Sequence, residues 1–373
     1  MNVSRGTVAR RQALLQEMQL QTSGAAGTWA RKVPEARWSW RRVGSSALLA
    51  RAFHSADLVG DKLVVYGGRG SADPQERPLS NAVVLGAGLL EVEGVVPDGP
   101  PRSHHGTAVM QGRWLLAVGG WDGRRRLAGL QALDLGGSSP PSWRLLEPEV
   151  GSQQPAGLSG HSVTKLSEQR LWVVGREGGV RTQRRFSSIF QLHVNIQRGS
   201  YRYKEQASHS DSRSGHTAIL CQNGRNFQLL LLGGRNTPFF QLAGQWGEGE
   251  IKDRPPSAPR LVERLSSLIA DRLVTPSIPR ARRHHCMVQV GPFVVLHGGE
   301  CFNKTFDTVC SDLYIYDTRP NAQQWYQFPP SDPGLKRVGH RMVVLGEQLC
   351  VIGGLGPDGK HCSPDIYTLD IAT

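Results

Sequence analysis

The sequence predicts an all-β fold, a six-bladed β-propeller, on three observations. One pattern recurs six times, each copy carries a hairpin with strand periodicity, and the copies are spaced by the length of a four-stranded blade. The copies read "RAFHSADLVGDKLVVYGG" from Arg51, "RSHHGTAVMQGRWLLAVGG" from Arg102, "LSGHSVTKLSEQRLWVVGR" from Leu158, "RSGHTAILCQNGRNFQLLLLGG" from Arg213, "RRHHCMVQVGPFVVLHGG" from Arg282 and "RVGHRMVVLGEQLCVIGG" from Arg337.

In each copy a histidine (His54, His105, His161, His216, His285, His340) precedes two apolar runs rich in Val and Leu. Turn residues such as "GD", "QG", "NGRN" and "GE" separate the runs, which is the signature of an antiparallel hairpin. A third run ends in or beside Asp in several copies, as in "LQALDL", "DLYIYD" and "DIYTLD", and a tryptophan strand follows some of them, at Trp143 and Trp325. The units therefore have about four strands. Their histidines fall 51, 56, 55, 69 and 55 residues apart, close to the roughly 40 to 50 residues of known blade repeats with loop insertions.

The last copy ends after its third strand, whereas "RWSWRRV", residues 37–43, has the character of a fourth strand with no repeat before it. It is expected to complete the final blade, joining the two ends of the ring and removing an exposed edge. The long fourth interval reflects an insertion at about 236–279. Within it "APRLVERLSSLIADRLV" places Leu261, Leu265, Leu268 and Ile269 on one helical face, bracketed by prolines. That helix either packs against blade four in place of a strand or docks another protein. Residues 1–36 form a basic extension containing "VARRQALLQEMQLQ", read as a frayed tail or, alternatively, a mitochondrial presequence.

The pattern of R-x-x-H, apolar hairpin, Gly-Gly, Tyr or Asp strand and Trp strand resembles the kelch repeat over roughly residues 38 to 371. The third copy departs from it twice, with Leu158 in place of Arg and Arg176 in place of the second Gly, so that blade is expected to be distorted. The resemblance implies that Arg51, Arg102, Arg213, Arg282 and Arg337 line the mouth of the central channel and bind acidic segments of a partner, position two being reinforced by Arg124, Arg125 and Arg126. The alternative is that each arginine pairs with an acid inside the ring, such as Asp134, Asp317 or Asp370.

The chemistry-bearing motifs are scarce. The Gly-Gly pairs do not continue into a phosphate-binding loop, and no nucleophile elbow or H-E-x-x-H is present. The six cysteines contain no C-x-x-C and no apolar signal segment opens the chain, which favours reduced thiols in the cytoplasm or nucleus and disfavours a zinc site. The repeated histidines could suggest a metal ring on the axis. The simpler reading is that each one starts an inner strand and hydrogen-bonds locally to fix the loop before it. The net charge of +13 is dispersed apart from the N-terminal segment, which suits an acidic protein partner better than nucleic acid.

These readings converge on a monomeric, non-enzymatic interaction module, an adaptor or scaffold. No catalytic, metal or cofactor residue is assigned, and no membrane contact is expected. The alternatives are a kelch-type metal-dependent enzyme or small-molecule binder, and the substrate receptor of a ubiquitin ligase. The BTB and F-box domains of many kelch proteins find no room in this chain.

Overall fold

Each of the six repeats begins one antiparallel sheet, and successive sheets pack face to face about an axis. The computed structural model describes residues 38–371 apart from 87, 89, 138, 178–184, 207–211, 224–225, 235–239, 249–256, 271–274, 304–305 and 329–333, all within one compact unit, Ala36–Thr373. The N-terminal extension thus lies outside the described residues.

Blade one comprises Ser55–Val59, Lys62–Tyr66, Ala82–Gly86 and Val92–Val96, paired in that order. Blade two comprises Gly106–Met110, Trp114–Trp121, Arg126–Asp134 and Ser142–Leu145. Blades three and five have the same four-strand plan and each gains a two-residue outer strand, Glu147–Pro148 and Thr275–Pro276 respectively. Blade four shows three strands among the described residues, Thr217–Asn223, Asn226–Leu232 and Phe240–Glu248. Blade six is built from Arg341–Leu345, Gln348–Ile352 and Asp365–Ile371, with Trp38–Ser45 as its outer strand.

The last pairing joins the N-terminal and C-terminal strands, from Trp38 opposite Ile371 to Ser45 opposite Asp365. Trp38 is buried with Leu369 and Ile371 in the core of blades five and six, so an apolar anchor holds the joint as well as the ladder.

A ring of backbone hydrogen bonds encircles the axis at the entrance to the inner strands. The residue before each repeat histidine donates its N–H to its counterpart in the blade before: His104 to Phe53 (3.0 Å), Gly160 to His104 (3.1 Å), Gly215 to Gly160 (2.8 Å), His284 to Gly215 (2.8 Å), Gly339 to His284 (3.0 Å) and Phe53 to Gly339 (2.8 Å). All six residues have left-handed backbone, with φ between 53° and 66°. Three carry large side chains that meet over the ring: Phe53 stacks on His104 at 4.2 Å and lies edge-on to His284 at 5.1 Å. A Cβ on Gly339 would stand 2.7 Å from the Phe53 ring, so glycine there makes room for the aromatic plug.

A second set of contacts ties neighbouring blades through the Gly-Gly pair. The second glycine donates to the carbonyl that opens the next repeat: Gly68 to Arg102 (2.7 Å), Gly120 to Leu158 (2.8 Å), Gly234 to Arg282 (2.9 Å), Gly299 to Arg337 (2.8 Å) and Gly354 to Arg51 (2.8 Å). The first glycine lies flat against the same junction. At Gly298 (φ +64°) a Cβ would come within 2.6 Å of the Arg337 carbonyl oxygen and 2.8 Å of the His340 ring. Backbone cannot move aside there as a flexible side chain could.

Four of the six histidines hydrogen-bond across blades rather than locally, and the rings of His54 and His105 lie against Gly353 and Gly67 of the blade before, which corrects the expectation that each fixes its own loop. His161 Nε2 donates to the Val118 carbonyl at 3.1 Å. His216 Nε2 lies 2.9 Å from Ser162 Oγ, His285 Nε2 2.8 Å from Thr217 Oγ1, and His340 Nε2 3.1 Å from His297 Nδ1. Their rings point at the preceding blade, and among the described residues no group of three or more His, Cys, Asp or Glu is placed to hold a metal.

The insertion helix, Pro259–Ala270, buries Leu261, Leu265 and Leu268. Among the described residues they do not pack against blade four, as expected of a substitute strand. They join a core with Val290, Phe293, Leu349 and Val351 of blades five and six. The Leu261 N–H donates to Glu347 Oε2 at 3.0 Å, and Gly291 lies against Val262. The helix therefore sits at the hairpin turns, at the opposite ends of the inner strands from the ring. Its apolar face is used within the protein, which leaves a polar face outward.

Two outcomes follow. Gly298→Ala must clash with the Arg337 carbonyl and should cost about 3 kcal/mol or more in thermal or denaturant unfolding. Gly112 (φ +61°) has nothing within 4 Å of a built Cβ, so Gly112→Ala should cost only the left-handed penalty, about 1 kcal/mol. Equal costs would contradict the junction geometry. The second outcome concerns pH. His54, His105, His161, His216, His285, His297 and His340 are all buried. Burial holds their pKa below the usual 6.5, to about 4 for His161, to about 3 for His285 and His297, and well below 6.5 for His54, His105, His216 and His340. Depressed values mean that only the unfolded chain gains protons as pH falls below 6.5, so stability is complete above that pH and lost beneath it. Each histidine removes about 1.4 kcal/mol per pH unit. Asp57, raised to about 6 by burial, acts in the opposite sense but is one group against seven. The melting temperature should fall steeply between pH 6.5 and 5, and a flat profile would contradict the buried neutral histidines.

Candidate functional site

The five repeat arginines are buried, between 0% and 7% exposed, and they donate chiefly to groups inside their own repeats. Four of them donate Nη1 to the carbonyl of the first glycine of the pair: Arg51 to Gly67 (3.1 Å), Arg102 to Gly119 (2.6 Å), Arg213 to Gly233 (2.9 Å) and Arg282 to Gly298 (2.9 Å). The other arm reaches a side chain just before the third strand, or within it in blade two: Asn81 Oδ1 from Arg51 (3.3 Å), Gln131 Oε1 from Arg102 (2.9 Å), Asp312 Oδ2 from Arg282 (3.0 Å) and Ser363 Oγ from Arg337 (2.9 Å). The planar fork of arginine suits this double clasp.

The solvent-facing collar expected from the resemblance is therefore not what these side chains form. The pairing alternative is nearer, but its partners differ. Asp134 pairs with Arg113, Asp317 with Arg319 and Asp370 with Arg41, because those acids stand at the far ends or outer edges of their strands. Arg282 does use an acid, Asp312. Burial lowers the pKa of Arg51 to about 10, and also lowers those of Arg102 and Arg337. Carbonyl dipoles are thus the principal compensation for charges held out of water.

One of the five, Arg102, also forms the floor of a groove of about 1420 Å³ on the face that carries the ring. Six arginines line it (Arg77, Arg102, Arg124, Arg125, Arg126 and Arg176) against two carboxylates, Asp122 and Glu177. The hairpin of blade two makes one wall. Its turn is closed by Asp122 Oδ1, which accepts from the N–H groups of Arg124 (2.7 Å) and Arg125 (2.8 Å), and Gly123 takes φ +99°. This turn raises Arg124 and Arg125 into solvent; the Arg125 side chain is 81% exposed and 3.8 Å from Asp122.

Arg126 folds inward instead. Its guanidinium lies over the Trp121 ring at 5.6 Å and 3.8 Å from Glu177. The opposite wall comes from blade three, where Arg176 donates to the Gly157 carbonyl at 3.3 Å and burial lowers its pKa. Arg176 occupies the position that is the second glycine in the other five copies, so the departure noted in the sequence puts a cation into the groove wall. The other departure, Leu158, keeps the carbonyl that ties blades two and three but supplies no guanidinium. Arg77, exposed, completes the rim from blade one.

The run Arg124–Arg126 was visible in the sequence. Arg77, Trp121 and Arg176 were not singled out, although the broken Gly-Gly at Arg176 was a signal that a side chain was tolerated there. The groove can bind and orient carboxylates or other anions by charge-assisted hydrogen bonds. It holds no nucleophile and base in reach of one another among its described lining residues, and no helix among the described residues is long and apolar enough to cross a membrane.

No family model matches the chain. It is 44% identical over 337 residues to Kelch domain-containing protein 9 of Homo sapiens, covering 89% of this chain and 95% of that protein. The protein of the same name from Mus musculus is 43% identical over 339 residues, with the same coverage. Adagio protein 3 of Arabidopsis thaliana is 27% identical over 84% of this chain and 49% of its own length. The solved structure of YjhT resembles this one in fold, with TM-score 0.56 and 10% identity over 85% of this chain and 94% of that chain. With its sixfold kelch pattern and propeller sheets, the chain belongs to the family of Kelch domain-containing protein 9.

Proposed function

We propose that the protein is an interaction module, an adaptor or scaffold, that holds an acidic segment of a partner protein in the groove between blades two and three. The observation that carries this reading is the charge of that groove: six arginines against two carboxylates, three of the arginines (Arg77, Arg124 and Arg125) exposed at its rim. Among the described residues Arg77 and Arg124 have no ion-pair partner, whereas Arg102 and Arg126 are positioned by neighbours. Fixed cations on the floor and adjustable ones at the rim suit a peptide whose carboxylates must be matched in register. The dimensions, open on the ring face, suit an extended or turned segment rather than a buried small molecule.

The partner-facing role expected of Arg51, Arg213, Arg282 and Arg337 passes in this proposal to the rim arginines. Binding should weaken with salt, since the rim charges are screened over about 8 Å at physiological ionic strength.

The test is fluorescence anisotropy with a labelled peptide rich in Asp and Glu. The double variant Arg124→Ala and Arg125→Ala should weaken binding about tenfold to a hundredfold, as expected for losing charge-assisted contacts of about 1.4–2.8 kcal/mol in total, with the melting temperature unchanged. Unaltered affinity in the double variant, or binding that does not respond to salt, would overturn the assignment.

A further inference from the structure

Away from the groove, the mouth of blade five carries a small three-stranded sheet: Arg282–Arg283, Glu300–Asn303 and Phe306–Val309. Cys301 pairs in register with Arg282 on one side and with Thr308 on the other. Cys310 follows the last strand; its N–H donates to the Gly299 carbonyl (2.8 Å), and its own carbonyl accepts from Arg337 (3.3 Å). These backbone ties fix both residues, and they bring the two sulfur atoms to 2.8 Å across nine positions of sequence. Both thiols are free and buried, 3% and 5% exposed. A pair of sulfurs at that separation has little left to travel before bonding. We propose that Cys301 and Cys310 are a redox modification site, oxidised reversibly to an intramolecular disulfide by a peroxide.

The surroundings select which sulfur reacts first. The Cys310 thiol donates to Cys301, and the guanidinium groups of Arg282 and Arg280 stand nearby; together they hold the Cys301 thiol down to about 7 from the usual 9, against the opposing effect of burial. Cys310, whose proton is engaged by that bond, is shifted upward. The other cysteines lie on the unreactive side: burial raises Cys221 to about 11, Cys350 and Cys362 to about 12, and Cys286 also upward. Thiolate character governs attack on peroxides.

The chemistry balances as follows. Having released its proton to solvent, the Cys301 thiolate attacks one oxygen of a hydroperoxide and breaks the O–O bond. The leaving alkoxide takes a proton to become an alcohol, or water when the oxidant is hydrogen peroxide, and Cys301 becomes a sulfenic acid. The Cys310 sulfur then attacks the Cys301 sulfur. The S–O bond breaks, and hydroxide leaves with the Cys310 proton as water. Two thiols have lost two electrons and the peroxide has gained them; a dithiol reductant reverses the change by exchange. The bond would staple the outer hairpin strand to the strand beside Arg282, removing the anionic sulfur that faces this guanidinium.

The test uses the full chain, hydrogen peroxide in limiting amount, and mass spectrometry of unreduced peptides. A Cys301–Cys310 disulfide should form before any modification of Cys221, Cys286, Cys350 or Cys362, and dithiothreitol should reverse it. In Cys310→Ser, Cys301 should instead be trapped as a sulfenic acid adduct by dimedone. Should that variant fail to fold, alkylation of the unmodified protein by iodoacetamide still decides: at pH 7 Cys301 should react about tenfold faster than any other cysteine. Disulfides between molecules, irreversible sulfonic acid at Cys301, or reactivity no greater than that of Cys350 would each overturn the proposal.

Discussion

Six peptide groups bonded head to tail around the axis set the terms for the rest of the molecule. A ring of this kind closes only if every blade presents the same residue, in the same left-handed conformation, at the same height. The chain meets that demand in two ways. Gly160, Gly215 and Gly339 adopt positive φ without steric cost. Phe53, His104 and His284 adopt it at about 1–2 kcal/mol each, offset by a hydrogen bond apiece and by the mutual stacking of their rings. Larger residues at all six positions would collide, as the 2.7 Å approach of a Cβ on Gly339 to Phe53 indicates. The mixture of three small and three large residues is what lets the axis be filled rather than open.

From that ring the remaining motif residues acquire roles. The repeat arginine binds its own blade through its side chain and the preceding blade through its carbonyl. The histidine fills the space against the preceding blade, and the glycine pair lies where the two blades touch. Blade three separates these duties. Leu158 retains the carbonyl contact without a guanidinium, showing that the junction between blades is a backbone matter. The same blade, freed of the second glycine, carries Arg176 into the groove. Scaffold and candidate site are thus linked: the repeat that relaxes the pattern supplies one wall of the basic groove.

The strands, the number of repeats and the joining of the two chain ends were legible because they rest on local periodicity and on a pattern that recurs in register. Trp38 and Trp40 looked like a stranded fourth strand, and they are paired with Asp365–Ile371. The placement of the arginine side chains was not legible, since R-x-x-H spacing locates the backbone of the loop but not the direction of a long, forked side chain. The helix at Pro259–Ala270 was legible as an amphipathic segment, yet its partner surface on blades five and six depended on a fold-back that periodicity does not encode. The groove was the least legible feature. It unites residues 77, 124 and 176 from three blades, and nothing in the linear order brings these together.

The central claim is that the axial ring and the blade junctions form one cooperative unit. Native-state amide hydrogen exchange of Phe53, His104, Gly160, Gly215, His284 and Gly339 tests it most directly. The account predicts that all six amides are protected and open with one common free energy, equal to that of global unfolding. Exchange at independent rates, with the ring amides opening like surface loops while the inner strands stay protected, would contradict it.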